Sequence, residues 1–258
     1  MEVGLSSTVN TTLFSIQKIA ALTEQNHLRI STGQDHQGPG DNPLAVSVAK
    51  DLSNRASDLL TIKDSISQGV SKVETATLGL GYIESILNEL KATSLQYEQA
   101  GSAADQALAS DRFTELKAQL DALAEDISFG GTNLVSGSPD SLTVEFNEDG
   151  SSALSVTGVA SDSAALGLDI TDSTTIDAAI SEIRATAEHL GSEATVLSIR
   201  EEFNDKLVNS LEEGEAKLLE TDLNEAAATA LSLETRSQLS VAAVKVTAQS
   251  ERAILQLF

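Results

Sequence analysis

The chain contains three histidines, and histidine is the residue type that most often binds a metal ion or transfers a proton near neutral pH. His27, His36 and His189 stand at spacings unlike those of a metal site or a catalytic cluster. The chain has no cysteine, which excludes disulfide bonds, thiolate metal sites and a cysteine nucleophile. We therefore interpret the histidines as surface or loop residues.

Two other patterns resemble parts of an active site. Glu201-Glu202 and Glu212-Glu213 could act as paired carboxylates, but in an acidic helical region they are typical of a solvated helix face. Gly79-Leu80-Gly81 is a fragment of a dinucleotide-binding loop, yet it lies within a helical repeat and follows no predicted strand. The sequence therefore predicts no catalytic, cofactor-binding or metal-binding residues, and no enzyme activity.

The charge is distributed unevenly along the chain. There are 16 basic and 39 acidic residues, a formal net charge of −23, which excludes a nucleic-acid binder because a polyanion would repel it. Residues 1–45 contain four acidic and two basic side chains and residues 223–258 contain three of each, so almost all of the net charge falls on residues 46–222. An acidic middle between two nearly neutral, apolar ends is unusual for a monomer.

The composition indicates long helices packed side by side. Hydrophobic residues make up 41% of the 258 residues, aromatic residues only 3%, and there are three prolines. No apolar run reaches the roughly 18 residues of a membrane span, so we expect no membrane insertion. The N-terminal segment lacks the basic and apolar regions of a cleavable signal peptide, so a secreted protein would leave the cell by another route.

A heptad repeat runs from Ala45 to Tyr97 and predicts a coiled-coil helix with Asn42 as its N-cap and Pro43 as its first residue. Arg55 occupies one of the inward positions, where it would either extend along the edge of the interface or form an ion pair with another helix or another subunit. The apolar residues of this coiled-coil seam are Leu52, Leu59, Ile62, Ile66, Val73, Leu80, Ile83, Leu87 and Leu90.

A second heptad segment, from Phe113 to Ile127, follows a break at residues 100–102 and predicts an antiparallel helical hairpin. Residues 142–146 and 154–158 then alternate apolar and polar side chains around Asp149-Gly150, which predicts a β-hairpin.

A third helical stripe runs from Ile176 to Leu197. Beyond it the apolar residues shift phase to Ile199, Phe203 and Leu207, which predicts a stutter in the supercoil.

Both ends of the chain are predicted to form apolar helices. Residues 223–258 contain no glycine and no proline, and their apolar residues lie nearly all round the helix, which must therefore be buried. Within the chain only residues 1–30 offer a comparable surface, so further copies of the protein are the natural partners. The apolar residues proposed for self-assembly are Leu5, Val9, Leu13, Ile16, Ile19, Leu239, Val241, Val244, Ile254, Leu255, Leu257 and Phe258.

The predicted fold is mainly α. Long antiparallel coiled-coil helices are formed by the N-terminal and C-terminal segments, and one small β-hairpin region lies in the middle.

The sequence resembles bacterial flagellin in several short motifs that keep the family's order and spacing. The matching segments are Leu28-Arg29-Ile30-Ser31-Thr32-Gly33, Gly40-Asp41-Asn42-Pro43-Leu44-Ala45, Asp64-Ser65-Ile66-Ser67-Gln68-Gly69-Val70, Ile127-Ser128-Phe129-Gly130-Gly131-Thr132-Asn133-Leu134, Asp222-Leu223-Asn224-Glu225-Ala226 and Ile254-Leu255-Gln256-Leu257-Phe258. Gly130 stands where asparagine is usual. The resemblance covers roughly residues 3–140 and 176–258.

The resemblance implies that three parts of the chain form three different layers of a filament. Residues 1–44 plus 218–258 would form the inner core of a helical filament, and residues 45–140 plus 176–217 a coiled-coil domain around it. Residues 141–175 would form a short variable β-hairpin and loop region that faces outward.

The resemblance also implies the function, partners and location. The protein would be an extracellular structural subunit of the flagellar filament, made for swimming motility, and its main partner would be itself. It would be exported without signal cleavage by the flagellar type III apparatus, with an export chaperone, and would meet hook-associated junction and cap proteins. The alternative is the hook–filament junction protein, which shares the terminal helices.

Overall fold

The computed structural model describes the backbone of residues 7–36, 38 and 40–255, and side chains from Asn10 to Ser250 within those ranges. The described elements are α1 (Ser7–Thr32), α2 (Pro43–Glu98), α3 (Ala103–Asp126), β1 (Ser141–Glu145), β2 (Ala153–Thr157), α4 (Ser173–Leu219) and α5 (Leu223–Leu255). The predicted mainly α fold with one small β-hairpin is confirmed. The chain forms two compact units: unit 1 extends up to Asn54 and resumes at Leu211, and unit 2 spans Arg55–Ser210.

The long helices begin where capping residues satisfy free backbone amides. Asn42 Oδ1 accepts a hydrogen bond from the Ala45 amide at 3.2 Å, and Pro43 is the first helical residue of α2, as predicted. Ser102 caps α3 by accepting from the Asp105 amide at 3.2 Å. The chain therefore turns from α2 to α3 at residues 99–102.

The core of unit 2 is built from the apolar faces of α2, α3, α4 and the β-hairpin. Its inner side chains are fully buried because three helices and a sheet face surround them. The largest of these fully buried side chains in α2, α3 and α4 are Leu59, Ile66, Leu80, Ile83, Leu87, Leu90, Leu120, Ile176, Ile183, Leu190 and Leu197.

The β-hairpin is antiparallel, with Leu142 opposite Val156. Its turn includes Gly150, which has a φ of +67° that favours glycine, and this explains the Asp149-Gly150 signal in the sequence. Leu142, Val144 and Phe146 all face the core. A Cβ on Gly69 of α2 would lie 2.7 Å from Val144 Cγ2, so glycine at this seam position lets the hairpin approach α2 closely.

Two sequence-based assignments of buried positions are wrong. In α4, Ile199 and Phe203 are 60% and 53% exposed and Leu207 is half-buried, while Asn204, Val208 and Leu211 are buried. The buried positions therefore continue from Leu197 through residues 204, 208 and 211 at the earlier 3-4 spacing, and there is no stutter. The hydropathy pattern gave a wrong buried face because the polar Asn204 occupies an inward position and apolar residues occupy outward positions.

The second correction concerns the beginning of α2. Val48 and Arg55 are exposed, and their neighbours Ala49 and Ala56 are buried instead. The buried face therefore begins one residue out of step with the predicted heptad there and joins it at Leu59.

Candidate functional site

The two terminal helices pair in unit 1. The Asn26 side chain of α1 is 6% exposed, and its Nδ2 donates to the Ala226 carbonyl of α5 at 2.7 Å. Next to α1, the Asp35 amide donates to the Leu219 carbonyl at 2.6 Å and the Thr221 amide donates to the Gly33 carbonyl at 2.9 Å. As the chain advances from Asn26 to Asp35, its partners recede from 226 to 219, so α1 and α5 are antiparallel.

An ion pair stabilises the loop that follows α1. Arg29 Nη1 lies 3.0 Å from Asp35 Oδ1, and His36 Nε2 lies 3.6 Å from the other carboxylate oxygen. The Arg29–Asp35 pair ties this loop to the last turn of α1.

Six of the twelve apolar residues proposed for self-assembly have described side chains, and three of these six are exposed. Leu13 is 45% exposed, Leu239 is 64% exposed and Val241 is 41% exposed. Ile16, Ile19 and Val244 are half-buried. Leu5, Leu257 and Phe258 lie outside the described residues, and so do the side chains of Val9, Ile254 and Leu255.

The exposed apolar surface is larger than the sequence pattern indicated. Phe14 is 69% exposed and Leu28 is 49% exposed, although neither belongs to the 3-4 stripe of α1. On α5, Leu231 and Val246 are 67% and 62% exposed. An open groove between the helices is lined by residues that include Ala20, Thr23, His27, Leu28, Ala230 and Leu231. Exposed apolar side chains in such numbers are typical of a surface that contacts another protein.

The coiled-coil seam, by contrast, is internal. Leu59, Ile66, Val73, Leu80, Ile83, Leu87 and Leu90 are all at most 1% exposed. Leu52 and Ile62 are half-buried. The buried members of this set hold the chain's own helices together.

Within unit 2, an ion pair links the turn of the β-hairpin to α2. Arg55 Nε lies 2.7 Å from Glu148 Oε1 of the hairpin turn, so Arg55 forms an ion pair within its own chain, with a turn and not with the helix or the second subunit that the sequence hypothesis named. Backbone amide donation at Glu148 and the hydrogen bond from Arg55 lower the pKa of the Glu148 carboxyl.

The inner side of the hairpin is held by further polar contacts. Asn204 is 1% exposed, and its Nδ2 donates to the Phe146 carbonyl at 3.3 Å. The Arg200 guanidinium lies 5.0 Å from the centre of the Phe146 ring. Lys63 pairs with Asp205, and the hydrogen bond to this carboxylate raises the pKa of the lysine.

The histidines and carboxylates form no reactive cluster in the described part of the chain. His27 and His189 are exposed, and His36 is half-buried beside Asp35. Among residues 7–36, 38 and 40–255, no group of three or more histidine, aspartate or glutamate side chains could hold a metal ion. None of the helices described is long and apolar enough to cross a membrane.

The chain is similar to known proteins over most of its length. The family model for the bacterial flagellin N-terminal helical region matches residues 6–140. Flagellin FljO of Caulobacter vibrioides is 32% identical over 248 residues, which cover 89% of this chain and 88% of the relative. A flagellin of Brucella melitensis is 23% identical over 276 residues, which cover 97% of this chain and 98% of the relative.

A solved structure also aligns with part of the chain. The crystal structure of Bacillus cereus flagellin covers 57% of this chain and 88% of its own, at 15% sequence identity and a TM-score of 0.42.

Proposed function

Because the chain belongs to the bacterial flagellin family, we propose that it is a structural subunit that self-assembles into the flagellar filament and serves swimming motility. The family is structural, which agrees with the absence of a catalytic pattern in the sequence. The observation that carries the proposal is the apolar surface of α1 and α5, where Phe14, Leu231 and Leu239 are each more than 60% exposed.

The pairing of α1 and α5 supports assigning the inner filament core to residues 1–44 plus 218–258. Two antiparallel helices can cover only one side of each other, and an all-round apolar α5 keeps the rest of its surface exposed. Neighbouring copies supply the missing contacts, and removing that surface from water contributes roughly 25 cal/mol per Å² against the entropy that association costs.

The core of unit 2 supports the coiled-coil assignment of residues 45–140 plus 176–217. The seam residues are already buried within one copy. This part therefore folds before assembly, and the terminal helices make the contacts that join it to the polymer. Residues 141–175, with the β-hairpin, form the outward-facing region of the proposed subunit.

The proposal extends to location and partners. The filament is extracellular, and the subunit reaches it through the flagellar type III export apparatus, without signal cleavage and with a chaperone bound to its C-terminal helix. In the flagellum it meets the junction and cap proteins.

The relatives with long alignments are named flagellins, which favours the filament subunit over the hook–filament junction protein. Copy number separates the two functions directly. The filament subunit should be the most abundant protein of sheared flagella, whereas a junction protein would be present in only a few copies per flagellum.

The assembly surface is tested by comparing Leu239→Asp with the control Leu108→Asp. Both leucines are exposed helix residues, at 64% and 71%, but Leu239 lies on α5 and Leu108 on α3. Burying an unpaired carboxylate between subunits is costly, so Leu239→Asp should give monomers without filaments, while Leu108→Asp should still polymerise. Electron microscopy of the purified proteins gives the readout, and filaments from Leu239→Asp would contradict the role of α5.

A further inference from the structure

His36 lies in the loop of unit 1 that joins α1 to α2, and one of its ring nitrogens faces two different groups. Its Nε2 lies 3.4 Å from Asn42 Nδ2 and 3.6 Å from Asp35 Oδ2. Asn42 stands at the N-terminus of α2. Asp35 is tied to the last turn of α1, because Arg29 Nη1 lies 3.0 Å from its Oδ1. The ring therefore lies between the start of one helix and a carboxylate fixed to the end of the other.

The orientation of the Asn42 side-chain amide is set by the helix that it caps. Its Oδ1 accepts a hydrogen bond from the Ala45 amide at 3.2 Å, so its NH2 group is the one that faces His36. An NH2 group only donates, and a ring nitrogen accepts from it only when that nitrogen carries no proton. The contact with Asn42 thus requires a neutral His36 ring with its proton on Nδ1.

The neutral ring is incompletely satisfied by its surroundings. His36 Nδ1 is buried and has no hydrogen-bond partner among the described residues. The Nε2 lone pair of the neutral ring also lies beside Asp35 Oδ2, where two electron-rich atoms repel each other. The contact with Asn42 is longer than a typical hydrogen bond and is therefore weak. A small gain elsewhere is enough to exchange it.

A proton on Nε2 reverses both interactions. That proton would point at the NH2 donor of Asn42 and at the carboxylate acceptor of Asp35. The positive ring would also lie at the N-terminal end of α2, where the helix dipole disfavours a cation. Asp35 attracts the ring instead, since the contact with Arg29 is made by the other carboxylate oxygen.

The charged groups near the ring lie on the side of Asp35. Arg29 is the cation of α1 there, and residues 43–49 of α2 are uncharged. The two clefts that Arg29 and Asp35 line contain five further carboxylates, from α1, the loop and the junction of α4 and α5. They are Glu24, Asp41, Glu220, Asp222 and Glu225. A positive ring thus has carboxylates to move toward, whereas the start of α2 offers none.

We propose that His36 is a pH-sensitive switch between α1 and α2. The neutral ring accepts from Asn42 and holds the cap of α2 in place, and the protonated ring leaves Asn42 and pairs with Asp35. Histidine normally changes its charge between about pH 5 and 8, so acid loosens the first turn of α2 and tightens the loop on α1.

The switch belongs to the single chain, but its consequence for assembly rests on the proposed filament function. The start of α2 is part of unit 1, which the proposed assembly buries between copies. A loosened first turn must be ordered again when a subunit is added, and this ordering costs entropy. Acid should therefore slow filament elongation.

The switch is tested by NMR on the full-length monomer. The ring nitrogen shifts of neutral His36 should show the proton on Nδ1. From about pH 8 to about pH 5, the hydrogen-exchange protection of the Ala45 and Val46 amides should fall about fivefold relative to residues 66–90 of α2, which is the effect of one hydrogen bond. A neutral ring with its proton on Nε2, or an unchanged protection of Ala45, overturns the proposal.

Two substitutions separate the switch from other effects of acid. His36→Gln places a neutral acceptor opposite Asn42, so the protection of Ala45 should no longer depend on pH in this range. Asn42→Asp keeps an oxygen that caps α2 but replaces the NH2 donor with a carboxylate, which attracts the protonated ring. Acid should then raise the protection of Ala45. A fall like that of the wild type in either variant overturns the proposal.

His27→Gln is the matched control, because His27 is an exposed histidine of the neighbouring helix α1. This variant should keep the acid response of the wild type at Ala45. If it loses that response as His36→Gln does, the effect comes from the titration of α1 in general, and the proposal is overturned.

Elongation of wild-type seeds, followed by light scattering, tests the consequence for assembly. From about pH 8 to about pH 5, the wild type and His27→Gln should slow about threefold more than His36→Gln does. Equal slowing of all three proteins overturns the control of assembly by His36. A wild-type chain that forms no filaments at either pH contradicts the filament function itself, while the monomer measurements still decide whether the switch exists.

Discussion

The two units of the chain contain similar apolar residues but bury them to different extents. In unit 2, Leu80 and Leu190 are at most 1% exposed, because α2, α3, α4 and the hairpin surround them. In unit 1, Leu231 and Leu239 are 67% and 64% exposed, because within the described part of the chain α5 packs against α1 alone. Burial thus depends on the number of neighbouring elements as much as on residue type. The core of unit 2 is complete within one copy, whereas we propose that unit 1 is completed by other copies.

The most direct way to test this difference is to shorten unit 1. Deleting residues 240–258 removes the C-terminal part of α5, including Val241, Val244 and Val246. Filament formation should be lost, while far-UV circular dichroism should still show a cooperatively folded helical protein, since the core of unit 2 is untouched. Electron microscopy and sedimentation give the readout. Filaments formed by the truncated chain would show that unit 2 can assemble without α5.

Leucine-to-alanine substitutions compare the units at the level of one side chain. Leu87→Ala in the core of unit 2 should lower the free energy of unfolding of the monomer by about 2–5 kcal/mol, because it leaves a cavity. Leu239→Ala should change it by less than about 0.5 kcal/mol, since the side chain is exposed in the monomer. Denaturant unfolding of both monomers measures this.

In the polymer, Leu239→Ala should weaken assembly more than Leu87→Ala does. Leu239→Ala should raise the monomer concentration that remains in equilibrium with filaments, because the lost surface is buried only between copies. Equal destabilisation of the monomer by both substitutions would remove the distinction between the units.

Local opening should also differ between the units. Backbone amides of α1 and α5 in the dilute monomer should exchange with deuterium faster than those of α2 between residues 66 and 90, because few apolar contacts hold the terminal helices. Limited proteolysis should cut within α1 and α5 first. Assembly into filaments should slow exchange in α1 and α5 far more than in α2. Equal protection of all these helices in the monomer would contradict the comparison.

The smallest expected effect concerns the ion pair that holds the hairpin turn in unit 2. The pKa of Glu148 is lowered from its usual value of 4.5 by the backbone amide and by Arg55, so the ionised carboxylate stabilises the folded hairpin above that pH. The stabilisation should be lost as the pH falls below 4.5 through the pKa of the folded state. Amide exchange across residues 142–157 should therefore accelerate in acid relative to α2.

Glu148→Gln is the matched variant for this measurement. It removes the charge at almost constant volume, so its hairpin exchange should be faster at neutral pH and should lose most of its acid dependence. An unchanged acid dependence would assign the effect to another carboxylate, such as Asp149.

Much of the fold follows from short-range sequence signals. Asn42-Pro43 starts α2, residues 100–102 separate α2 from α3, and Asp149-Gly150 forms the hairpin turn, because each of these features depends on a few neighbouring residues. The long 3-4 spacing likewise marks Leu59 to Leu90 as one inward face. These interactions are local, so reading along the chain is sufficient to find them.

The errors occur where a distant element decides the burial of a residue. Asn204 faces inward because the Phe146 carbonyl, 58 residues away, accepts its hydrogen bond. Ile199 and Phe203 face outward although they are apolar. Arg55 leaves the predicted seam and pairs with Glu148, 93 residues away. Hydropathy along the chain contains no information about these partners.

The same reasoning applies to the proposed assembly surface. The sequence alone determined that α5 is apolar all round and that both ends of the chain are nearly neutral. The sequence predicted antiparallel helices from the two ends of the chain, but only the tertiary structure decided their alignment, in which Asn26 bonds to Ala226 and Gly33 to Thr221. Helical periodicity is set by the backbone and is visible in the sequence, whereas the alignment of two helices about 200 residues apart depends on which contacts form when they pack.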